Sequence, residues 1–428
     1  SQETVTLDAG TGTTSVAAIG SSTQIGVLSI GSSDNGGITL NGAIVTDGAV
    51  SIDGPVTLAT GAVSVTTADD AITFSHTIDG AQALTLVSGT AATAIQDGIG
   101  ESTALSSLTI TNGSANGTIE IENIGGVTGA TAIGNTSTAT ITLDGTTYTT
   151  TGAQTYTAVT GGGNIDITGT NTTFTTTNSN VAFATSGVDL ANNGTTTINT
   201  GSGAGTVSFG AALESNGGDN DLLVITSGTG DVTFTGAVAG TNALGGLSVN
   251  ASSGNGGITF TSTIGDGDTV GVVGTTAVGN STTTDIDFGA GTYKFNGGTT
   301  FTAVSSGTMD MAAAVTFSTT NDSIEFATAG IALANGANLT IDTGAAAGDI
   351  TVGGAITGDS QETVTLDAGT GTTSVAAIGS STQIGVLSIG SSDNGGITLN
   401  GAIVTDGAVS IDGPVTLATG AVSVTTAD

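Results

Sequence analysis

Apolar residues recur along this chain in apolar-polar-apolar triplets separated by short polar stretches. Val5-Thr6-Leu7, Leu28-Ser29-Ile30 and Ile38-Thr39-Leu40 begin the series, and residues 50–52, 56–58, 63–65, 72–74 and 84–86 continue it. Alternation with period 2 turns one edge of each triplet toward a core, which is the pattern of a short half-buried strand. The intervening clusters of Gly, Asn, Asp and Ser, such as Ser32 to Gly37, are turn chemistry, because Gly and Asn accept positive φ at little cost. No stretch carries a 3.6-residue apolar period, so the pattern predicts an all-β chain.

Longer periods lie over the triplets. Residues 360–428 copy residues 1–69 without a substitution, so the chain reads as one tandem repeat unit, 1–359, followed by the start of the next. Within the unit, residues 141–207 match 286–350, dividing it into sub-blocks 1–140, 141–285 and 286–359. Tyr148 aligns with Tyr293, Tyr156 with Phe301, Phe174 with Phe317 and Phe183 with Phe326. Retention of apolar and aromatic beats while polar positions drift is what a stacked core requires. The beats fall about every eight residues, at Ile141, Tyr148, Tyr156, Ile165, Thr173, Val181, Val188 and Ile198. A third phrase sets two triplets about ten residues apart across a Gly-rich turn, as in Leu28 to Ile30 with Ile38 to Leu40 and Leu247 to Val249 with Ile258 to Phe260.

Units this short bury an apolar face only by stacking on their neighbours. The expected architecture is a parallel β-solenoid, or β-helix, whose coils of about 16 to 25 residues stack at about 4.8 Å into a rod. The alternative is a string of immunoglobulin-like β-sandwiches. Such arrays repeat near 100 residues and carry large core aromatics, whereas this chain has no Trp and 3% aromatic residues.

Composition narrows the function more than the fold. There are 35 Asp and Glu against one Lys, no Arg and one His, for a formal net charge of -34. That charge repels nucleic acid and anionic lipid and favours divalent counterions. With 37% hydrophobic residues the chain is no disordered polyanion. Zero cysteines exclude a disulfide framework, and no apolar run reaches the ~20 residues that span a bilayer. A first residue Ser1, with neither Met nor a hydrophobic leader, reads as an interior or processed segment.

The phrases 230–238 (GDVTFTGAV), 243–249 (ALGGLSV) and 256–260 (GGITF) resemble those of the giant bacterial β-strand-repeat secreted proteins, which are similar in style to filamentous haemagglutinin-like adhesins and autotransporter passenger domains. The resemblance covers most of the chain. It implies a right-handed parallel solenoid, secreted and serving as an adhesin shaft or surface fibre, and it carries no catalytic motif.

Candidate chemistry is sparse. Nucleophilic triads need a base, and His76 and Lys294 are the whole inventory. His76 reads as a surface histidine and Lys294 as a surface cation among carboxylates. Calcium is the one ligand the composition suggests, since hard cations take carboxylate and carbonyl oxygens on Gly-rich turns. Its candidate ligands are Asp219 and Asp221, flanking Asn220, and Asp266 with Asp268. Neither group has the nine-residue calcium-roll period, and solvated turns account for both. Thr-x-Thr pairs such as Thr109 with Thr111 raise ice binding, but they are interleaved irregularly with Ala, Asn and Ser. Asn112, Asn171 and Asn338 fit the glycosylation pattern.

The expected function is therefore structural: a component of an extracellular or cell-surface filament, sheath or adhesin stalk, partnered end to end by copies of the same repeat and open to lateral fibre association. The alternative is a surface binding module for a glycan, a mineral or ice. An enzyme is disfavoured for want of bases and cations.

Overall fold

The computed structural model describes residues 3–31, 36–113, 117–191, 193–216, 221–266, 271–390, 395–418 and 422–427. Among these there is no helix, and the strands, two to seven residues long, pair in parallel throughout. The backbone forms two compact units, Ser1–Ala211 and Ala212–Asp428, and each is a parallel β-solenoid. Sandwiches are built from antiparallel strands, so the sandwich alternative falls.

In the first unit the strands line up in three ladders. One runs from Val5–Leu7 through Leu28–Gly31, Val50–Asp53 and Ile72–Phe74, and later includes Asn164–Ile167 and Gly187–Leu190. A second contains Thr14–Val16, Ile38–Leu40 and Val56–Leu58, and later Thr147–Thr149, Thr173–Thr175 and Thr195–Asn199. The third runs from Ile44–Thr46 and Val63–Thr67 to Gln154–Thr157, Val181–Ala184 and Val207–Phe209. Each coil therefore has three strands, and each eight-residue beat is one strand with its corner. Ile141, Tyr148 and Tyr156 belong to successive ladders, and Ile165 returns to the first, directly over Ile141. The two triplets of each Gly-rich phrase lie on neighbouring ladders: Leu28 stacks with Val5 and Val50, Ile38 with Thr14 and Val56.

The second unit repeats the plan. Its ladders are Leu222–Thr226 through Ile324–Ala327 to Val415–Leu417, Val232–Phe234 through Gly330–Leu333 to Ile356–Thr357, and Gly291–Phe295 through Thr363–Asp367 to Val409–Ile411. Single-residue bridges extend the last two, as from Ile356 to Ile378 to Ile403. Coil length varies with the corners, from about 18 residues between Ile38 and Val56 to about 29 between Leu247 and Thr276. The longest coils exceed the range the triplets suggest.

The inward positions form continuous columns, almost wholly apolar. Leu28, Val50, Ile72, Thr93, Ile119, Ile141, Ile165 and Val188 follow one another in register, all buried. Burial of each such aliphatic side chain is worth about 1.5 to 3 kcal/mol. Corners need backbone that approaches the next coil closely. At Gly31, φ is 94° and a Cβ would stand 2.0 Å from the Asp53 carbonyl oxygen; at Gly145 it would stand 1.4 Å from that of Glu122. Only glycine fits either place.

The aligned sub-blocks reproduce their core geometry in detail. Tyr148 stacks on Phe174 at 4.9 Å and Tyr293 on Phe317 at 5.2 Å; Tyr156 stacks on Phe183 at 5.3 Å and Phe301 on Phe326 at 5.2 Å. Thr185 and Thr328 share a positive φ, and each hydroxyl donates to a backbone carbonyl of the coil before, Ala158 and Ala303 respectively.

Candidate functional site

A ligand-binding solenoid presents its chemistry on the outward strand positions, so these are read in stacked order. On the first ladder they are Ser29, Ser51, Thr73, Ala94, Glu120, Thr142, Asp166 and Asp189. On the third they are Thr85, Thr109, Ala132, Thr155, Ala182 and Ser208. On these two ladders threonine forms no row longer than two, and no aromatic interrupts either series; Thr147, Thr173 and Thr197 stack in register on the second ladder, and Thr292, Thr316, Thr340 and Thr365 do so in the second unit. All three Tyr and all eleven Phe are inside, none more than 1% exposed.

The ionisable groups on these faces are carboxylates stacked a coil apart. Asp166 lies in register with Asp189, and Asn164 Nδ2 donates to Asp189 Oδ2 at 2.6 Å. Burial, reinforced by the Asp189 charge, pushes the Asp166 carboxyl up, and burial does the same to Asp189. In the second unit Asp287 lies in register with Asp310. Burial and the neighbouring Asp285, Asp310 and Asp231 charges raise Asp287 against a hydrogen bond from Thr259. Glu122 is raised by burial and then by Asp97, Asp144 and Glu101. Burial is the leading cause of each of these shifts, and neighbouring carboxylates add to it at Asp166, Asp287 and Glu122. An open groove in the first unit, lined by Ala104, Gly126, Val127, Thr150 and Thr177, contains no ionisable side chain.

The residues singled out from the sequence do not converge. Asp219, Asn220 and Asp268 lie outside the described residues. Asp221 is buried and accepts a 2.7 Å hydrogen bond from Ser215 Oγ, whereas Asp266 is exposed. Among the described residues no three His, Asp or Glu side chains are grouped to hold a metal ion. His76 Nδ1 lies 3.3 Å from Asp53 Oδ1 on the surface. Lys294 stands half-exposed on its strand in register with Ser318. Asn112 is no glycan acceptor: its amide is buried, donating to Ser88 Oγ and the Ala91 carbonyl at 3.0 Å each while its oxygen accepts from Thr138. Asn171 and Asn338 keep their amides at exposed corners, each oxygen accepting a backbone N–H.

One residue with a defined site was not legible as such. Glu362 opens the copied segment and is fully buried, accepting from the backbone N–H of Asp359 at 2.8 Å and of Gly336 at 3.2 Å. Burial alone would raise its carboxyl, but hydrogen bonds from the Asp359 side chain and from these N–H groups outweigh burial and hold it low. Asp359, sharing that hydrogen bond, is raised. Its sequence twin, Glu3, is exposed.

No family model matches the chain, and neither the curated proteins nor the solved structures contain a match to it.

Proposed function

We propose that this chain is a structural element of an extracellular or cell-surface filament, sheath or adhesin stalk, in which tandem repeats continue one solenoid. The observation that carries the reading is the distribution of aromatic residues. Every Tyr and Phe is spent on the core, although sugar-binding and other recognition surfaces characteristically expose such side chains as rigid anchors. The outward faces offer instead small polar residues and carboxylates. Strand ladders pair the backbone groups of successive coils and so protect them from solvent and protease. With a single Lys and no Arg, trypsin-like enzymes have one cleavage position, on a strand. The acidic faces keep neighbouring filaments apart and take salt or calcium as diffuse counterions, which permits lateral association as screening increases.

Electron cryomicroscopy of the source cells with antibody labelling tests this reading. The expected result is labelled surface filaments with a layer spacing of about 4.8 Å. Labelling confined to the cell interior, or saturable micromolar binding of a defined glycan or of an ice surface by the isolated chain, would replace it with another class of function.

A further inference from the structure

One outward face of the second unit is self-complementary in charge. Gly291–Phe295, Val315–Thr319, Leu339–Asp342 and Thr363–Asp367 stack in register on successive coils. Thr292, Thr316, Thr340 and Thr365 form an unbroken outward row, about 4.8 Å from one hydroxyl to the next. The row beside it runs Lys294, Ser318, Asp342, Asp367. The chain's one Lys therefore stands on the first coil of the row, with carboxylates on the third and fourth. Lys294 forms no ion pair with any described residue. Asp342 Oδ1 accepts the Gly344 N–H at 2.8 Å and Asp367 Oδ1 that of Gly369 at 3.0 Å, which fixes each carboxylate and leaves its second oxygen to a further donor. The aligned face of the first unit keeps the threonines, Thr147, Thr173 and Thr197, but has Thr149, Thr175 and Asn199 beside them. The fold is built equally well without the charges.

We propose that this face pairs laterally with the same face of a second copy of the chain, the two solenoid axes antiparallel, about a two-fold axis that runs along the strands between the coils of Thr316 and Thr340. That operation sets Thr292 opposite the partner's Thr365 and Thr316 opposite the partner's Thr340. Lys294 meets the partner's Asp367 and Ser318 meets the partner's Asp342, and each contact occurs twice, as an isologous interface requires. Parallel packing in register would set Lys294 against itself and each aspartate against itself, so charge selects the antiparallel arrangement. Four strands cover roughly 300 Å² per chain, against about 800 Å² in a standard interface, so one pair of faces associates weakly. Tandem units would present the face repeatedly and multiply its strength, and only this multiplication rests on the filament reading.

The chain has no cysteine, so single thiols report the register. Thr292→Cys and Thr365→Cys variants of the whole chain are treated with a short thiol-to-thiol cross-linker at physiological salt, mixed and separately. The mixture is expected to form dimers about tenfold faster than either variant alone, whose thiols lie about 14 Å out of register along the axis. Adding Lys294→Asp to both variants should abolish the difference, and adding Asp367→Lys as well should restore it, because the swap exchanges the two charges of each pair. Thr147→Cys mixed with Thr197→Cys, on the uncharged face, should gain nothing from mixing. A mixture no faster than its parts, faster linking of a variant to itself, a swap that fails to restore the rate, or an equal gain on the uncharged face overturns the proposal. Each of these outcomes leaves the surface-filament reading to be judged by where labelled filaments are seen.

Discussion

Replacing Phe183 by Ala tests whether the aromatic column carries the stability of the first unit. Phe183 is 0% exposed. It stacks on Tyr156 at 5.3 Å and on Phe209 at 5.1 Å, and it meets the edge of Phe174 at 5.4 Å. Truncating a buried Phe costs about 3 to 5 kcal/mol, because transfer free energy is lost and the cavity collapses only in part. Ladders above and below fix the backbone here, which limits collapse and favours the upper half of that range. A solenoid couples nearest neighbours, so its unfolding need not be two-state and a single melting temperature would blur the effect. Hydrogen exchange resolves it. Amides of Gln154–Thr157, Val181–Ala184 and Val207–Phe209 are expected to exchange roughly 150 to 4,000 times faster, the equivalent of that energy at 1.4 kcal/mol per decade, while Leu28–Gly31 stays unchanged. Phe326→Ala is the internal control. It has the matching partners Phe301 and Phe317, but its upper neighbour is Val352, not a Phe, so it should cost less by one aromatic pair, about 0.5 to 1.5 kcal/mol. A loss below about 1 kcal/mol at Phe183, or acceleration spread evenly over the chain, would refute the reasoning.

Acid should stabilise this protein at first. Asp166, Asp189 and Asp287 have raised folded-state values, so the folded chain binds protons more tightly than the unfolded one. Their unfavourable contribution is present in full at neutral pH and is relieved as pH falls through the folded values. The melting temperature is expected to rise from pH 7 toward about 4, less so in high salt; a monotonic fall over that window would contradict it. Glu362 acts oppositely, its contribution being lost as pH drops below its ordinary value and through its lowered one. Glu362→Ala should therefore destabilise the second unit by about 1 to 3 kcal/mol in chemical denaturation. Thr93 is buried between Ile72 and Ile119 with no hydrogen-bond partner for its hydroxyl, so Thr93→Val should stabilise by about 1 kcal/mol, read by the same method. All three tyrosines are raised by burial; tyrosinate absorbance should appear only on unfolding, and titration of the native protein near pH 10 would show that a ring is outside.

The period-2 triplets located the strands well, because Val5-Thr6-Leu7 or Ile38-Thr39-Leu40 can bury only its two outer members on one face. They could not reveal which triplets hydrogen-bond to each other. Leu28 to Ile30 and Ile38 to Leu40 look like the arms of a hairpin across a Gly turn, and the same glycines serve equally as the corner between two ladders. The number of sides was hidden for a related reason: a beat of about eight residues fits a two- or three-stranded coil, and only the return of Ile165 over Ile141 decides it. The aromatic alignment was readable, since Tyr148 with Phe174 and Tyr293 with Phe317 occupy matched positions one coil apart. The buried carboxylate was not. Glu362 and Glu3 have identical following sequence, and the groups that hold Glu362, Gly336 a coil earlier and Asp359 just before it, lie outside the copied segment.

That pair of glutamates separates what the amino-acid sequence encodes from what stacking supplies. Val364 and Leu366 are fully buried, while their copies Val5 and Leu7, in the same strand with the same neighbours in sequence, remain partly exposed. Strand position, register and corner are therefore local properties, set by triplets and glycines. Burial is conferred by the coil on either side. A repeat of this kind acquires its full stability only where another coil covers each of its faces, which makes the termini of any such stack its weakest coils and its most reactive surfaces.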